Sequence, residues 1–188
     1  MRKLEQEIEV KYRVGDPAAL ETALAARGVR LSPPVVQDDQ AFAPGSWSYG
    51  QPKTGVVFAR LRTQDGVHVF TVKRPIDNEQ ACVEHERPVT DREEMARALE
   101  LMGWRPTVRI VKRRRTARLD ALGIDVCVDE VDHAGVFLEL ERVVGAGESG
   151  EAVQTELDEW ARSLGEEVGL ERTSDTYDSL VRVALSRA

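Results

Sequence analysis

The chain is poor in aromatic residues, cysteine and histidine, and it contains no long apolar run. Only 5% of its 188 residues are aromatic, which argues against the stacking platforms used for single-stranded nucleic acid. Its two cysteines, Cys82 and Cys127, lie far apart, and neither has a second Cys or His at metal-binding spacing. They read as free buried thiols of a cytoplasmic protein. No stretch of eighteen apolar residues exists, so no transmembrane helix is expected. The opening Met1-Arg2-Lys3-Leu4-Glu5-Gln6-Glu7 has a basic start but no apolar segment behind it, and is not expected to be a signal peptide. Asp and Glu number 33 against 26 Lys and Arg, a net charge of −7. That balance argues against a duplex DNA partner. It does not exclude a small anionic ligand, because local charge can oppose the total.

At 41% hydrophobic and 31% charged, the composition is that of a soluble globular protein. No internal repeat, low-complexity tract or linker interrupts it, so residues 1–188 read as a single domain. Four helices are expected. Asp16 and Pro17 open the first and Gly28 closes it. Thr90, with Glu93 three residues on, opens the second, with Met95, Leu99 and Met102 as its apolar stripe and Gly103 as its stop. Ser149 caps a third that turns Val153, Leu157, Trp160 and Leu164 inward. Asp175 starts a fourth carrying Tyr177, Leu180, Val181, Ala184 and Leu185. Eight strands are expected, near Glu5 to Val14, Val35 to Ala43, Val56 to Thr63, Val67 to Arg74, Ala81 to Val89, Thr107 to Leu119, Ile124 to Val131 and Val136 to Val144. Ala43 to Gly55, with Trp47 and Tyr49 at its middle, is the main loop.

Side chains alternate across a strand, so residues two apart share a face. Glu7, Glu9, Lys11 and Arg13 then lie opposite Ile8, Val10, Tyr12 and Val14. Arg60 and Arg62 form a like-charged pair, as do Glu84 and Glu86, Lys112 and Arg114, and Glu139 and Glu141, while Lys73 and Asp129 stand on comparable faces. Any one such strand fits a solvated sheet face. Their recurrence in seven of eight strands suggests instead one region for a cation and one for an anion. An α+β architecture, an eight-stranded antiparallel β-barrel with helices packed on the outside, supplies the geometry: charges line a wet tunnel, and the helices cover the apolar face. So much buried charge is costly without a ligand. The expected contents are Mg²⁺ or Mn²⁺ with a polyphosphate, since carboxylates suit the ion and guanidinium forks suit phosphate oxygens.

These residues also resemble a known family. Glu7-Ile-Glu9-Val-Lys11 is similar to the Glu-x-Glu-x-Lys signature of the CYTH superfamily, the triphosphate tunnel metalloenzymes. Arg60-Leu-Arg62, Thr71-Val-Lys73, Glu84-His-Glu86, Lys112-Arg-Arg114, Asp129-Glu-Val131, Gly135-Val-Phe137-Leu-Glu139-Leu-Glu141 and Thr176-Tyr177-Asp-Ser-Leu180 follow in the family's order. The resemblance implies that Glu7, Glu9, Asp129, Glu139 and Glu141 hold divalent metal, with Glu84 or Glu86 as a further ligand. It implies that Lys11, Arg60, Arg62, Lys73, Lys112 and Arg114 bind the triphosphate, and that Lys11, Arg60 and Lys112 serve the reaction. Arg13 and Arg172 are additional candidates. Arg113 and Arg115 are expected to point outward, and His68, His85 and His133 are expected to take no catalytic part.

Two departures stand out. Ala41 occupies a position that is often Tyr in the family, and Ala117 one that is often aromatic. The missing Tyr hydroxyl bears on any hydrolase mechanism that pairs it with the Lys. The resemblance leaves three activities open: a phosphohydrolase, slightly favoured; an adenylyl cyclase making cyclic AMP and pyrophosphate; and a non-catalytic nucleotide or polyphosphate binder. Trp47 and Tyr49 would offer a cyclase a surface for adenine. The expected partner is a small-molecule triphosphate, with no nucleic acid and no membrane, and the chain is expected to act as a monomer or homodimer.

Overall fold

The computed structural model describes residues 5–145 and 148–187. The expectation for the opening residues 1–4 lies outside them. In chain order the elements are β1 (Glu5–Val14), α1 (Pro17–Ala26), β2 (Val35–Pro44), β3 (Phe58–Gln64), β4 (Val67–Pro75), β5 (Ala81–Val89), α2 (Arg92–Leu101), β6 (Trp104–Leu119), β7 (Ile124–Val131), β8 (Gly135–Gly145), α3 (Gly150–Arg162), β9 (Leu170–Thr173) and α4 (Tyr177–Leu185).

Local chemistry sets the boundaries. The Asp16 carboxylate accepts from the Ala18 and Ala19 amides at 2.9 Å, and Pro17 follows where a helix needs no N–H. Asp65 and Gly66, at φ +49° and +76°, make the two-residue β3–β4 turn, which needs positive φ at both positions. The start of α2 differs from expectation. Asp91, not Thr90, is its cap and accepts from Glu93 and Glu94. A carboxylate there also favours the positive end of the helix dipole. Met102 lies beyond the end of α2 and is 62% exposed. Thr176 rather than Asp175 precedes α4, and Leu185 is exposed.

The strands form a closed antiparallel barrel, ordered β1-β5-β4-β3-β2-β6-β7-β8 and back to β1. Closure is short: Gln6 to Ile8 pair with Val83 to Ala81. Beyond that seam β1 outruns β5, and β9, absent from the expected strands, pairs with Lys11 to Val14 instead. Closure leaves the barrel without a free hydrogen-bonding edge over this span.

The apolar faces point outward, as expected. Ile8, Val10, Val126, Leu138 and Leu140 meet Leu20 and Leu24 of α1 and Val153, Leu157 and Ala161 of α3. Phe42, Ala59 and Leu61 meet Leu99 of α2. A fully buried side chain such as Leu157 contributes roughly 2 kcal/mol by leaving water. One helix breaks the pattern. Tyr177 and Val181 of α4, one turn apart, pack against Val108, Ile110, Val131 and Phe137. Phe137 shares its strand face with Glu139 and Glu141, so α4 caps an apolar layer of the interior instead of covering the outside. No helix is long and apolar enough to cross a membrane among the described residues.

Candidate active site

The interior encloses a cavity of about 340 Å³. Glu7, Glu9, Lys11, Arg60, Arg62, Lys73, Glu84, Glu86, Lys112, Arg114, Glu139 and Glu141 all line it. Asp129 lies behind that surface, fully buried under Lys112 and Arg114. Strand alternation brings these side chains inward, and barrel closure brings β1 beside β5.

The acids divide into two kinds. Asp129 accepts from Lys112 at 2.8 Å and from Nε and Nη2 of Arg114 at 2.7 and 2.6 Å. Burial pushes its pKa up, but Lys112 and Arg114 outweigh burial and hold it below the usual value. Glu139 is paired with Arg114 and, at 3.2 Å, with Lys11. It too is held well below its usual value against the opposing effect of burial. Glu84 is paired with Lys73, and Glu86 accepts from Arg60 at 2.9 Å and from Thr71 at 2.7 Å. These carboxylates fix the cations that surround them.

Glu7, Glu9 and Glu141 form the second kind. They stand on neighbouring strands, with Glu9 directly opposite Glu141. One oxygen of each lies within 4.8 Å of the others. Burial, then Glu141 and Glu84, raises Glu7 to about 9. Burial raises Glu141 to about 7, against Arg114 and with help from Glu139 and Glu9. Glu7 and Glu141 are thus pushed toward their neutral forms, although Arg114 lies 3.4 Å from Glu141 and Lys11 3.4 Å from Glu9; three oxygen donors so close together suit a hard divalent cation.

Cations stand beside them. Burial works against the Lys11 ammonium, but Glu9 and Glu139 more than compensate and raise its pKa. Burial and Arg114 lower Lys112, so its proton is the more weakly held of the two. The Arg60 Nε is buried and donates to no acceptor. A buried donor without a partner costs about 1–3 kcal/mol, and an anionic ligand would remove that cost.

Sequence reasoning missed several contributors. Asp39, buried on β2, accepts from Arg62 at 2.7 and 2.8 Å and aims its guanidinium. Lys53, buried in the β2–β3 loop, donates to Ser179 at 2.9 Å and pairs with Asp178 and Glu79, both at 3.3 Å. It lies outside any strand, so alternation gave no signal for it. Tyr177 places its ring 4.3 Å from the Lys11 Nζ and 4.6 Å from the Lys112 Nζ. Its stripe position on α4 marked it only as packing.

Other candidates fall elsewhere. Arg13 sits over the Phe137 ring and donates to the Ala134 carbonyl at 2.6 Å, outside the cavity lining. Arg172 donates to Asp158 at 3.0 Å and to Gln80 at 2.6 Å, also outside it. Arg113 pairs outward with Glu130, and Arg115 with Glu21. His68, His85 and His133 do not line the cavity. Trp47 does line it; it is buried, edge-on to Tyr49 and Phe58 with 5.0 Å between ring centroids. Cys82 and Cys127 are buried and free.

A profile of the CYTH domain matches residues 5–174. A Methanocaldococcus jannaschii protein named as an adenylate cyclase candidate is 25% identical over 160 residues, 84% of this chain and 89% of that protein. The structure of the PH1012 protein of Pyrococcus horikoshii superposes with a TM-score of 0.74 at 23% identity, covering 93% of this chain and 99% of the other. An adenylyl cyclase candidate from Hippeastrum, described as revealing a dominant triphosphatase activity, superposes with a TM-score of 0.63 at 18% identity, covering 94% and 95%.

Proposed function

The chain belongs to the CYTH domain family, and from that premise we propose that it is a divalent-metal-dependent enzyme acting on a triphosphate, with phosphohydrolysis as its reaction. The observation that carries this reading is the make-up of the cavity wall: three carboxylates with an oxygen of each within 4.8 Å of the others share the cavity with the cationic side chains of Lys11, Arg60, Arg62, Lys73, Lys112 and Arg114, one of which keeps an unused donor.

In this reading Glu7, Glu9 and Glu141 hold Mg²⁺ or Mn²⁺. The ion supplies Lewis-acid polarisation of phosphate oxygens. Arg60, Arg62, Lys73, Lys112 and Arg114, with Lys11, take the remaining phosphate oxygens in several directions at once, which fixes the chain of phosphates along the barrel. Asp39 and Asp129 hold the guanidinium planes of Arg62 and Arg114 in place before substrate arrives. Charge that builds on the transferred and leaving oxygens meets donors already oriented, without reorganisation of solvent. Lys112 has the more weakly held proton of the two buried lysines, and this suits it to neutralise a leaving oxygen.

A second reading, adenylyl cyclase, is favoured by the apolar part of the same wall, where Ala41, Ala43, Trp47 and Phe58 offer room and surface for an organic group. The name of the Methanocaldococcus relative points the same way, and the Hippeastrum protein's description points back to triphosphate hydrolysis. The test is product analysis. The protein is incubated with ATP, inorganic tripolyphosphate or thiamine triphosphate and Mg²⁺ or Mn²⁺, and the products are separated by ion exchange. Orthophosphate without cyclic AMP is the expected result. Cyclic AMP with pyrophosphate would replace the hydrolase reading with the cyclase, and binding without turnover would remove both.

A further inference from the structure

The strand ladder breaks off at one residue of the carboxylate cluster. Glu7 is held on both sides, opposite Val143 of β8 and Cys82 of β5. Glu141 is likewise held between Glu9 and Asp125. Among the described residues Glu9 has a strand partner on one side only, because β5 stops pairing with β1 at Ile8 and β9 begins at Lys11. The Glu9 side chain, clustered with two other carboxylates, is thus carried by a stretch of β1 that lacks its second strand neighbour. Carboxylates gathered in one cluster repel one another when ionised, so that stretch needs a tie.

Groups outside the strands supply it. The Glu9 N–H donates to the Gln80 carbonyl at 2.8 Å. The Glu9 carbonyl accepts from Nε2 of Gln154, on α3, at 3.0 Å. The Gln154 amide is itself braced: Asn78 Nδ2 donates to its Oε1 at 3.0 Å, and its Nε2 donates a second hydrogen to Asn78 Oδ1 at 3.3 Å. A donor that cannot be reversed fixes the direction of this pair, since the Gln80 N–H donates to Asn78 Oδ1 at 2.9 Å. With Oδ1 facing that N–H, Nδ2 faces the Gln154 Oε1, and the Gln154 amino group is left to face Glu9. Seating α3 does not call for this side chain: Val153, Leu157 and Ala161 do that, and Gln154 is only half-buried.

We propose that Gln154 is a positioning residue of the metal site: its amide stands in for the missing strand neighbour and holds the Glu9 main chain, so that the Glu9 carboxylate stays within reach of Glu7 and Glu141. This rests on those three carboxylates being a divalent-cation site. A divalent cation takes its ligand oxygens within a narrow range of distance. Slack in the Glu9 main chain therefore weakens binding, although Gln154 does not itself line the cavity.

Gln154→Met keeps the reach of the side chain and removes its donor. Mn²⁺ is titrated calorimetrically into metal-free wild type and variant, and the melting temperature of each metal-free protein is recorded. Loss of one hydrogen bond at the main chain of a ligand predicts about five- to tenfold weaker Mn²⁺ binding by the variant. Leu157→Ala, one turn further along α3, is the control for the seating of the helix. It should lower the melting temperature more than Gln154→Met does and leave Mn²⁺ affinity within about twofold of wild type. Equal Mn²⁺ affinity in Gln154→Met and wild type overturns the proposal. So does Leu157→Ala weakening Mn²⁺ binding as much as Gln154→Met, because loosening of α3 alone would then account for the loss. Wild type that does not bind Mn²⁺ removes the metal-site reading itself, and this inference with it.

Discussion

Metal binding at Glu7, Glu9 and Glu141 should expel protons, and the amount follows from the structure. Glu7 is raised to about 9 and Glu141 to about 7. At pH 7.5 those values leave Glu7 mostly protonated and Glu141 mostly ionised, so the cluster carries about one proton. A divalent cation requires ionised ligands, so that proton leaves as it binds. The assay is calorimetric titration of Mn²⁺ into the metal-free protein in two buffers of different ionisation enthalpy, neither of them phosphate. The measured heats should differ by about the full difference in buffer enthalpies, the mark of roughly one proton released. The apparent Mn²⁺ affinity should rise close to tenfold per pH unit up to about pH 9, where Glu7 ionises unaided, and then level off. Equal heats in the two buffers, with an affinity flat between pH 6.5 and 9, would refute the reasoning. Stability carries the same signature. Between Glu7's ordinary 4.5 and about 9, the metal-free fold holds a proton that the unfolded chain has released. The metal-free protein therefore loses stability as pH rises through that window, by up to about 1.4 kcal/mol per unit. Saturating Mn²⁺ should reverse the trend.

Four substitutions test the division of labour. Glu7→Gln should raise metal-free stability at pH 8 by an amount of order a few kcal/mol, since a neutral amide ends the crowding, while weakening Mn²⁺ binding; denaturant melts and calorimetry read the two effects. Asp129→Asn leaves Lys112 and Arg114 without their buried counter-charge and should cost about 3–5 kcal/mol in a urea melt. Arg60→Ala should weaken tripolyphosphate binding by about tenfold or more, the scale of a lost charge-assisted hydrogen bond, and leave Mn²⁺ affinity intact. Leu157→Ala in α3 should cost about 2–5 kcal/mol of stability with kcat unchanged, because the helix touches only the outside of the barrel.

The barrel was legible because its charges come in like pairs two residues apart. Arg60 with Arg62 and Glu139 with Glu141 declare a face, and with the face an interior. What alternation does not disclose is the partner across the barrel. Whether an acid such as Asp129 holds a cation or stands free like Glu7 depends on register: Asp129 lies opposite Arg114, and Glu9 opposite Glu141. A short ninth strand escaped notice because Leu170 to Thr173 has no sustained alternation, and its place is set by β1 outrunning β5. α4 shows an ordinary amphipathic stripe, and nothing local reveals that its target is the inside of the barrel. Lys53 and Asp39 become part of the site only through contacts far away in sequence.

The most direct test is a crystal grown with Mn²⁺ and tripolyphosphate under non-turnover conditions, its metal located by anomalous scattering. The account predicts a Mn²⁺ peak shared by Glu7, Glu9 and Glu141, with the phosphates between that ion and Arg60, Arg62, Lys112 and Arg114. A peak on the outer surface, or phosphates lying away from those cations, would contradict it.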